Sequence, residues 1–214
     1  MNDATPEAAA AIQLLSYPAR PANGGRLGLV AKPGLHLWSA KLNGWRAPVH
    51  APTGDIWNRL GQRLAISDEF NAALKDLGRS RFAWLDCEAL ERRHRVGQGS
   101  LILLDVIMPN EPALDRYDSL LAEAARLGWP LLRIGDQPEP CRVYLLEQTA
   151  LTETSPADNL RLAAQWNAMQ GLNQRWGAPF YEGLVAKRAD STYPIQLRDP
   201  KAQCPWWIKH RWAW

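Results

Sequence analysis

Lys41-Leu42-Asn43-Gly44-Trp45-Arg46 puts a lysine at the end of a short apolar-polar alternation, directly before an Asn-Gly pair. Alternation of this kind predicts β-strands, and Asn-Gly is a strong signal for a turn between two of them. Gly44 carries no side chain, so the backbone beside the lysine can approach a phosphate closely. A lysine next to a glycine is more often a solvated turn residue than a catalyst, so the hexapeptide takes its meaning from what surrounds it.

On either side the alternation runs over 36–50, and Pro52-Thr53-Gly54-Asp55 predicts a second turn into Ile56-Trp57-Asn58-Arg59, giving a meander of short strands. Three later segments carry helix start and stop signals around a helical apolar period. The first is 67–77, with Asp68 and Glu69 in its opening turn and Gly78 behind it; the second is 115–127, stopped by Gly128. The third opens at Ser155-Pro156 and runs to Trp176 before Gly177. Strands are predicted over 81–90, 100–107, 142–147, 182–188 and 206–211. Without a regular strand-helix-strand alternation, this order predicts an α+β fold of mainly antiparallel sheets flanked by helices. Residues 1–34, rich in Ala, Pro and Gly, read as a partly irregular extension that wraps or frays, and 35–214 as one domain.

The bulk properties bound the function. With 214 residues, 46% of them hydrophobic, the chain suffices for one full core. Its 25 basic and 22 acidic residues leave a net charge of +3, which permits a nucleic-acid partner without demanding one. Cys87, Cys141 and Cys204 are odd in number, far apart and outside any C-x-x-C spacing, which argues against a disulfide framework or zinc site and fits a reducing cytoplasm. The opening segment has Asp3 and Glu7 where a secretion signal needs Lys or Arg, and its apolar run is too short to span a bilayer, so no membrane segment is expected. Of 11 tryptophans, Trp176, Trp206, Trp207, Trp212 and Trp214 crowd the last fifth. Packing explains them most simply, and a stacking surface for bases or for a partner domain is the functional alternative.

A series in fixed order follows the hexapeptide: Asn58-Arg59-Leu60-Gly61, Leu85-Asp86-Cys87-Glu88, Leu104-Asp105, Glu182-Gly183-Leu184-Val185-Ala186-Lys187 and Trp207-Ile208-Lys209-His210-Arg211. Together these resemble nucleotidyl motifs I, Ia, III, IIIa, IV and V of the covalent nucleotidyltransferase superfamily: ATP-dependent DNA ligases, RNA ligases and mRNA capping enzymes. The resemblance covers 35–214. Ser191-Thr192-Tyr193, Arg198 and Trp207-x-Lys209 after the Glu182 motif look most like DNA ligases.

The resemblance implies a minimal ATP-dependent polynucleotide ligase, favouring DNA over RNA, with a nucleotidyltransferase (ligase adenylation domain) fold over 35–214. Lys41 would attack the α-phosphate of ATP, hold AMP covalently and pass it to a 5′-phosphate, which a 3′-hydroxyl then seals. A lysine amine attacks phosphorus only when unprotonated, and an ordinary lysine is protonated at neutral pH, so neighbouring positive charge is needed. Arg46, Lys209, Arg211 and a divalent cation are the candidates, and they would also stabilise the transferring phosphoryl group. By the same resemblance Lys41, Lys209 and Arg211 are the catalytic residues, and Arg46, Glu88, Leu104, Lys187 and Lys209 would bind the nucleotide. Arg59 and Arg198 would bind nucleic acid. Glu88 and Glu182 would hold Mg2+ or Mn2+, because hard cations take carboxylate oxygen.

Each of these residues has a plainer reading. Glu88 and Glu182 could be ordinary salt-bridge partners, Lys209 and Arg211 alternate with Ile208 and Trp212 as on any half-exposed edge strand, and Lys187 reads as the most readily solvated. The sequence also departs from the motifs. Asn43 stands where motif I has Asp, and Leu104 stands where motif IIIa presents an aromatic ring to the base. No OB-fold domain follows motif V, which leads to the expectation of slow self-adenylation or of a partner protein in that domain's place. The alternatives are an RNA-repair ligase, a GTP-using capping enzyme, and a non-catalytic nucleotide- or nucleic-acid-binding module on a degenerate ligase fold.

Overall fold

The computed structural model describes residues 20–25, 27, 34–58, 62–91, 95–152, 154–195 and 203–212. Two sheets carry the architecture. The first contains β1 (Arg20–Asn23), β2 (His36–Leu42), β9 (Thr149–Leu151), β10 (Tyr181–Arg188) and β11 (Gln203–Arg211), in the order β1-β11-β10-β2-β9. The second contains β3 (Trp45–His50), β4 (Asp55–Ile56), β5 (Trp84–Ala89), β6 (Leu101–Val106), β7 (Leu131–Leu132) and β8 (Val143–Leu146), in the order β4-β3-β5-β6-β8-β7. Among the described residues only the β1/β11, β6/β8 and β7/β8 ladders are parallel. The α+β reading with mainly antiparallel sheets therefore describes the fold.

Among the described residues three helices flank the sheets. A 3-10 turn at Asp68–Phe70 leads into α1 (Asn71–Leu77); α2 is Ala113–Leu127 and α3 is Pro156–Trp176. The end signals of the two later helices act as the sequence predicts, whereas at the first Ser67 makes no side-chain cap bond and Gly78 stays right-handed. The Ser155 hydroxyl accepts from Asp158 N–H at the start of α3, and Gly128 and Gly177 take left-handed conformations at φ 75° and 61° that stop α2 and α3.

Strand alternation divides the interior. Leu101, Leu103, Val143 and Leu145 face a core built with Phe70, Leu74 and Leu77 below α1 and with Tyr117, Leu120 and Ala124 of α2. Their neighbours Ile102, Tyr144 and Leu146 belong to a second core with Trp38, Ala40, Leu184 and Ala186 of the first sheet and Leu162 and Met169 of α3. Each fully buried leucine contributes about 1.5–3 kcal/mol of apolar transfer.

Two features differ from the sequence reading. Arg20–Asn23 forms a strand against β11 although nothing before Gly34 alternates, because pairing comes from a partner far along the chain, with a register shift after Pro21. The Asn43-Gly44 turn does not close a hairpin. β2 pairs with β9 and β10, whereas β3 pairs with β4 and β5, so the turn carries the chain from one sheet into the other. Asn43 N donates to Phe180 O at 2.9 Å, Asn43 Nδ2 to Pro179 O at 2.9 Å and Gly44 N to Glu88 Oε1 at 2.8 Å, which anchors the turn to both sheets. No helix among the described residues is long and apolar enough to cross a membrane.

Candidate active site

Between the sheets lies a cleft of about 760 Å³ whose lining includes Ser39, Lys41, Arg46, Asp86, Glu88, Leu104, Lys187, Trp207, Lys209 and Arg211. Strand register composes the wall from the first sheet. Lys41, Gly183 and Arg211 form one cross-strand row, Ser39, Val185 and Lys209 the next, and Leu37, Lys187 and Trp207 a third. Because side chains alternate, these rows turn toward the second sheet, with Ser39, Lys41, Val185, Lys187, Trp207, Lys209 and Arg211 lining the cleft and Leu37 packed in the core of that sheet, while Trp38, Ala40, Leu184 and Ala186 belong to the α3 core.

A β-bulge sets Glu182 beside the lysine. Tyr181 pairs with Leu42 and Gly183 with Lys41, so Glu182 is the extra residue on β10. Gly183 has φ 144°, and a Cβ there would lie 1.9 Å from His210 O, so only glycine fits. Glu182 Oε2 accepts from Lys41 Nζ at 2.5 Å and lies 2.9 Å from Arg211 NH2. Lys209, one row away, has its ammonium pKa lowered by partial burial and by the charges of Arg211 and Lys41. Far from being an edge, β11 is covered on its other side by β1.

The opposite wall is anchored by Gly44. A Cβ on Gly44 would lie 2.6 Å from Ala89 O and 2.8 Å from Glu88 Cγ, so a bare backbone is needed for the bond to Glu88. Burial pushes the Glu88 carboxyl up to about 7, against the opposing pull of Lys41 and of the Gly44 N–H. Arg46 is gripped by Asp86 through Nε at 2.9 Å and NH2 at 2.7 Å, and Tyr193 OH lies 3.0 Å from the same guanidinium and 2.9 Å from Asp86 Oδ2. Burial opposes the charge on Arg46, but Asp86 and Tyr193 outweigh it and raise the guanidinium pKa.

Lys187 is where the plain reading fails. It is buried at 6% exposure, its Nζ donating to Leu104 O at 2.7 Å and Asp105 Oδ2 at 2.9 Å, because β10 places it under the cleft rather than at its surface. Burial lowers its pKa while Asp105 resists. Leu104 lines the cleft, and Arg59 and Arg198 lie outside the described residues.

Sequence reasoning gave no role to Asp86, Asp105 or Tyr193 and overlooked Arg116. The signal for Arg116 lies in the α2 pattern. Ala113, Arg116, Tyr117, Leu120, Glu123, Ala124 and Leu127 make the buried stripe, so a guanidinium and a carboxylate stand where helical spacing calls for apolar residues. Glu88 and Glu182 offer the hard oxygens a divalent cation takes, and among the described residues no cluster of three or more His, Cys, Asp or Glu could hold a metal ion. Two carboxylates supply part of the oxygen shell such a cation takes.

No protein-family model matches the sequence, and no curated protein matches it. Solved structures do. The ligase domain of LigD from Mycobacterium tuberculosis superposes with a TM-score of 0.54 and 18% identity over 91% of this chain and 59% of that one. A mycobacterial DNA ligase D complexed with ATP and MES gives 0.55 and 19% over 91% and 60%. The Chlorella virus DNA ligase-adenylate gives 0.59 and 14% over 93% and 69%. The chain spans about three fifths of the length of the mycobacterial ligases it matches. Similarity of this extent at such identities is similarity of fold, and the fold is that of the adenylation domain of ATP-dependent DNA ligases, whose ordered motifs the sequence resembles.

Proposed function

We propose that this chain is the nucleotidyl-transferring part of an ATP-dependent polynucleotide ligase acting on nicked or broken DNA, with Lys41 as the nucleophile. The observation that carries the reading is the grouping around Lys41 Nζ: Glu182 at 2.5 Å, Arg211 on the same carboxylate, and Lys209 one strand row away, with Lys41, Lys209 and Arg211 lining a cleft large enough for a nucleotide.

In this reading Lys41 Nζ gives its proton to solvent by way of Glu182 Oε2, the closer of its two hydrogen-bond acceptors, so that Glu182 stays ionised. The nitrogen then forms a bond to the α-phosphorus as the bond to pyrophosphate breaks, and pyrophosphate leaves with the electron pair. A 5′-phosphate oxygen next displaces the lysine nitrogen, which leaves with the electron pair of the P–N bond and takes a proton back from solvent, and a 3′-hydroxyl finally displaces AMP, which leaves with its electron pair while the hydroxyl proton passes to solvent. Lys209 and Arg211 stabilise charge on the transferring phosphoryl group, and Glu88 holds the ribose or a metal-bound water. Mg2+ or Mn2+ held by Glu182 and Glu88 would neutralise phosphate charge. The ligase D relative that holds ATP supports adenosine over guanosine triphosphate. Work in the cytoplasm, and a partner protein that helps clamp the nucleic acid, belong to the same proposal.

Intact-mass spectrometry after incubation with ATP and Mg2+ tests this directly. The expected result is an AMP adduct on Lys41 that Lys41→Ala abolishes without unfolding the chain, since the amine lies on the cleft wall outside the apolar cores. An adduct of full yield in that variant overturns the assignment. Nicked DNA set against the matching nicked RNA distinguishes a DNA ligase from an RNA-repair ligase.

A further inference from the structure

We infer that Arg116 is a positioning residue that frees Lys187 to exchange its buried partner for a phosphate or sugar oxygen of a bound nucleotide. Arg116 has no exposed surface. Its Nε and NH2 bind the two Asp105 oxygens at 2.8 and 3.1 Å, and its NH1 donates to Glu111 O at 2.6 Å and Ser191 O at 3.0 Å. Asp105 Oδ2 is shared, since it also accepts from Lys187 Nζ at 2.9 Å, and Lys187 lines the cleft.

A merely structural role for this trio is hard to sustain on energetic grounds. Burying a guanidinium and a carboxylate costs desolvation that apolar side chains of similar volume avoid, and such replacements are often neutral or stabilising. What the second cation adds is independence. With Lys187 alone, turning Nζ toward a ligand would strand a buried carboxylate, which costs far more than the new contact returns. With Arg116 clamping both oxygens, Asp105 keeps two charge-assisted bonds whichever way Nζ points. Arg116 also lies 5.6 Å from the Tyr193 ring, and Tyr193 holds Arg46 and Asp86, so the same guanidinium braces both cations of the cleft's inner end.

This inference rests on the nucleotide cleft described above, and its test separates the two. The full chain is titrated with α,β-methylene-ATP and Mg2+, alongside the rate of adduct formation at saturating ATP. For Arg116→Met the dissociation constant is expected to rise about tenfold while the saturated rate changes by less than about threefold. Lys187→Met should weaken binding similarly, and the double variant should be no weaker than Lys187→Met alone, because Arg116 acts through that lysine. Additive losses, or unchanged affinity in folded Arg116→Met, overturn the role. If Arg116→Met does not fold, Arg116→Lys, which keeps the charge and loses the two-oxygen clamp, gives the same readout, and wild-type affinity there also overturns it. A wild-type chain that binds the analogue but forms no adduct refutes the ligase reading and leaves the Arg116 comparison intact; a wild-type chain that binds nothing refutes both.

Discussion

Gly44→Ala should damage both stability and site. A Cβ at Gly44 would meet Ala89 O at 2.6 Å, 0.8 Å inside the 3.4 Å at which ordinary contact begins, and that oxygen belongs to β5, paired on both sides. Relief requires the turn to move by a comparable distance, which takes Gly44 N out of hydrogen-bond reach of Glu88 Oε1, now at 2.8 Å. Overpacking costs about 1–3 kcal/mol. Loss of a bond to a carboxylate adds about 1.5–3 kcal/mol. The stiffer unfolded chain returns about 0.4–1 kcal/mol. The net is a loss on the order of 3 kcal/mol, read as a lower urea midpoint at unchanged slope. Gly171→Ala is the control: in α3, with nothing within 4 Å of the added carbon, it should gain about 0.5–1 kcal/mol. Equal stability of Gly44→Ala and wild type beside a stabilised Gly171→Ala would refute the steric reasoning.

Two further outcomes are expected. Glu182→Ala should lower metal-dependent adduct formation by about 10–100-fold while Glu91→Ala leaves it close to wild type, measured by intact mass against metal concentration; equal losses would mean that the carboxylate was misassigned. Glu88 is raised from 4.5 to about 7 in the fold, so the folded chain holds its proton more tightly than the unfolded chain does. That contribution is fully present below the unfolded value and disappears as pH rises through the folded one, so stability should fall by about 3 kcal/mol between pH 4.5 and 7. Glu88→Gln should flatten that slope in urea titrations; an unchanged slope would show that other groups set it.

What the sequence displays depends on the range of the interaction. The start and stop of α3 are visible because Ser155, Pro156 and Gly177 act on their own turns. The motif lysines, arginines and carboxylates could be placed in order because their identities are chemical, yet their pairing depends on register between strands well over a hundred residues apart. β1 was hidden for that reason. Lys187 looked solvated because nothing nearby in sequence reveals that Asp105 and Leu104 O wait beneath it. Arg116 and Glu123 were legible as interruptions of an apolar stripe, but a stripe shows only that a charge is buried and is silent about its partner. The Asn-Gly pair predicts its turn but not where the turn leads, since the destination of a turn is set by what its backbone meets across the molecule.

That turn also governs how the protein ages. In an Asn-Gly pair the glycine nitrogen attacks the preceding side-chain amide, closing a succinimide that reopens to aspartate or isoaspartate and makes asparagine a labile residue. Here both reacting groups are occupied: Gly44 N donates to Glu88, and the Asn43 amide donates to Pro179 O. A carboxylate at Asn43 would face that carbonyl with no hydrogen to offer. Folded protein should therefore keep its asparagine on storage, whereas chains held in denaturant should exchange nitrogen for oxygen two residues from Lys41 and refold with a damaged seam between the sheets.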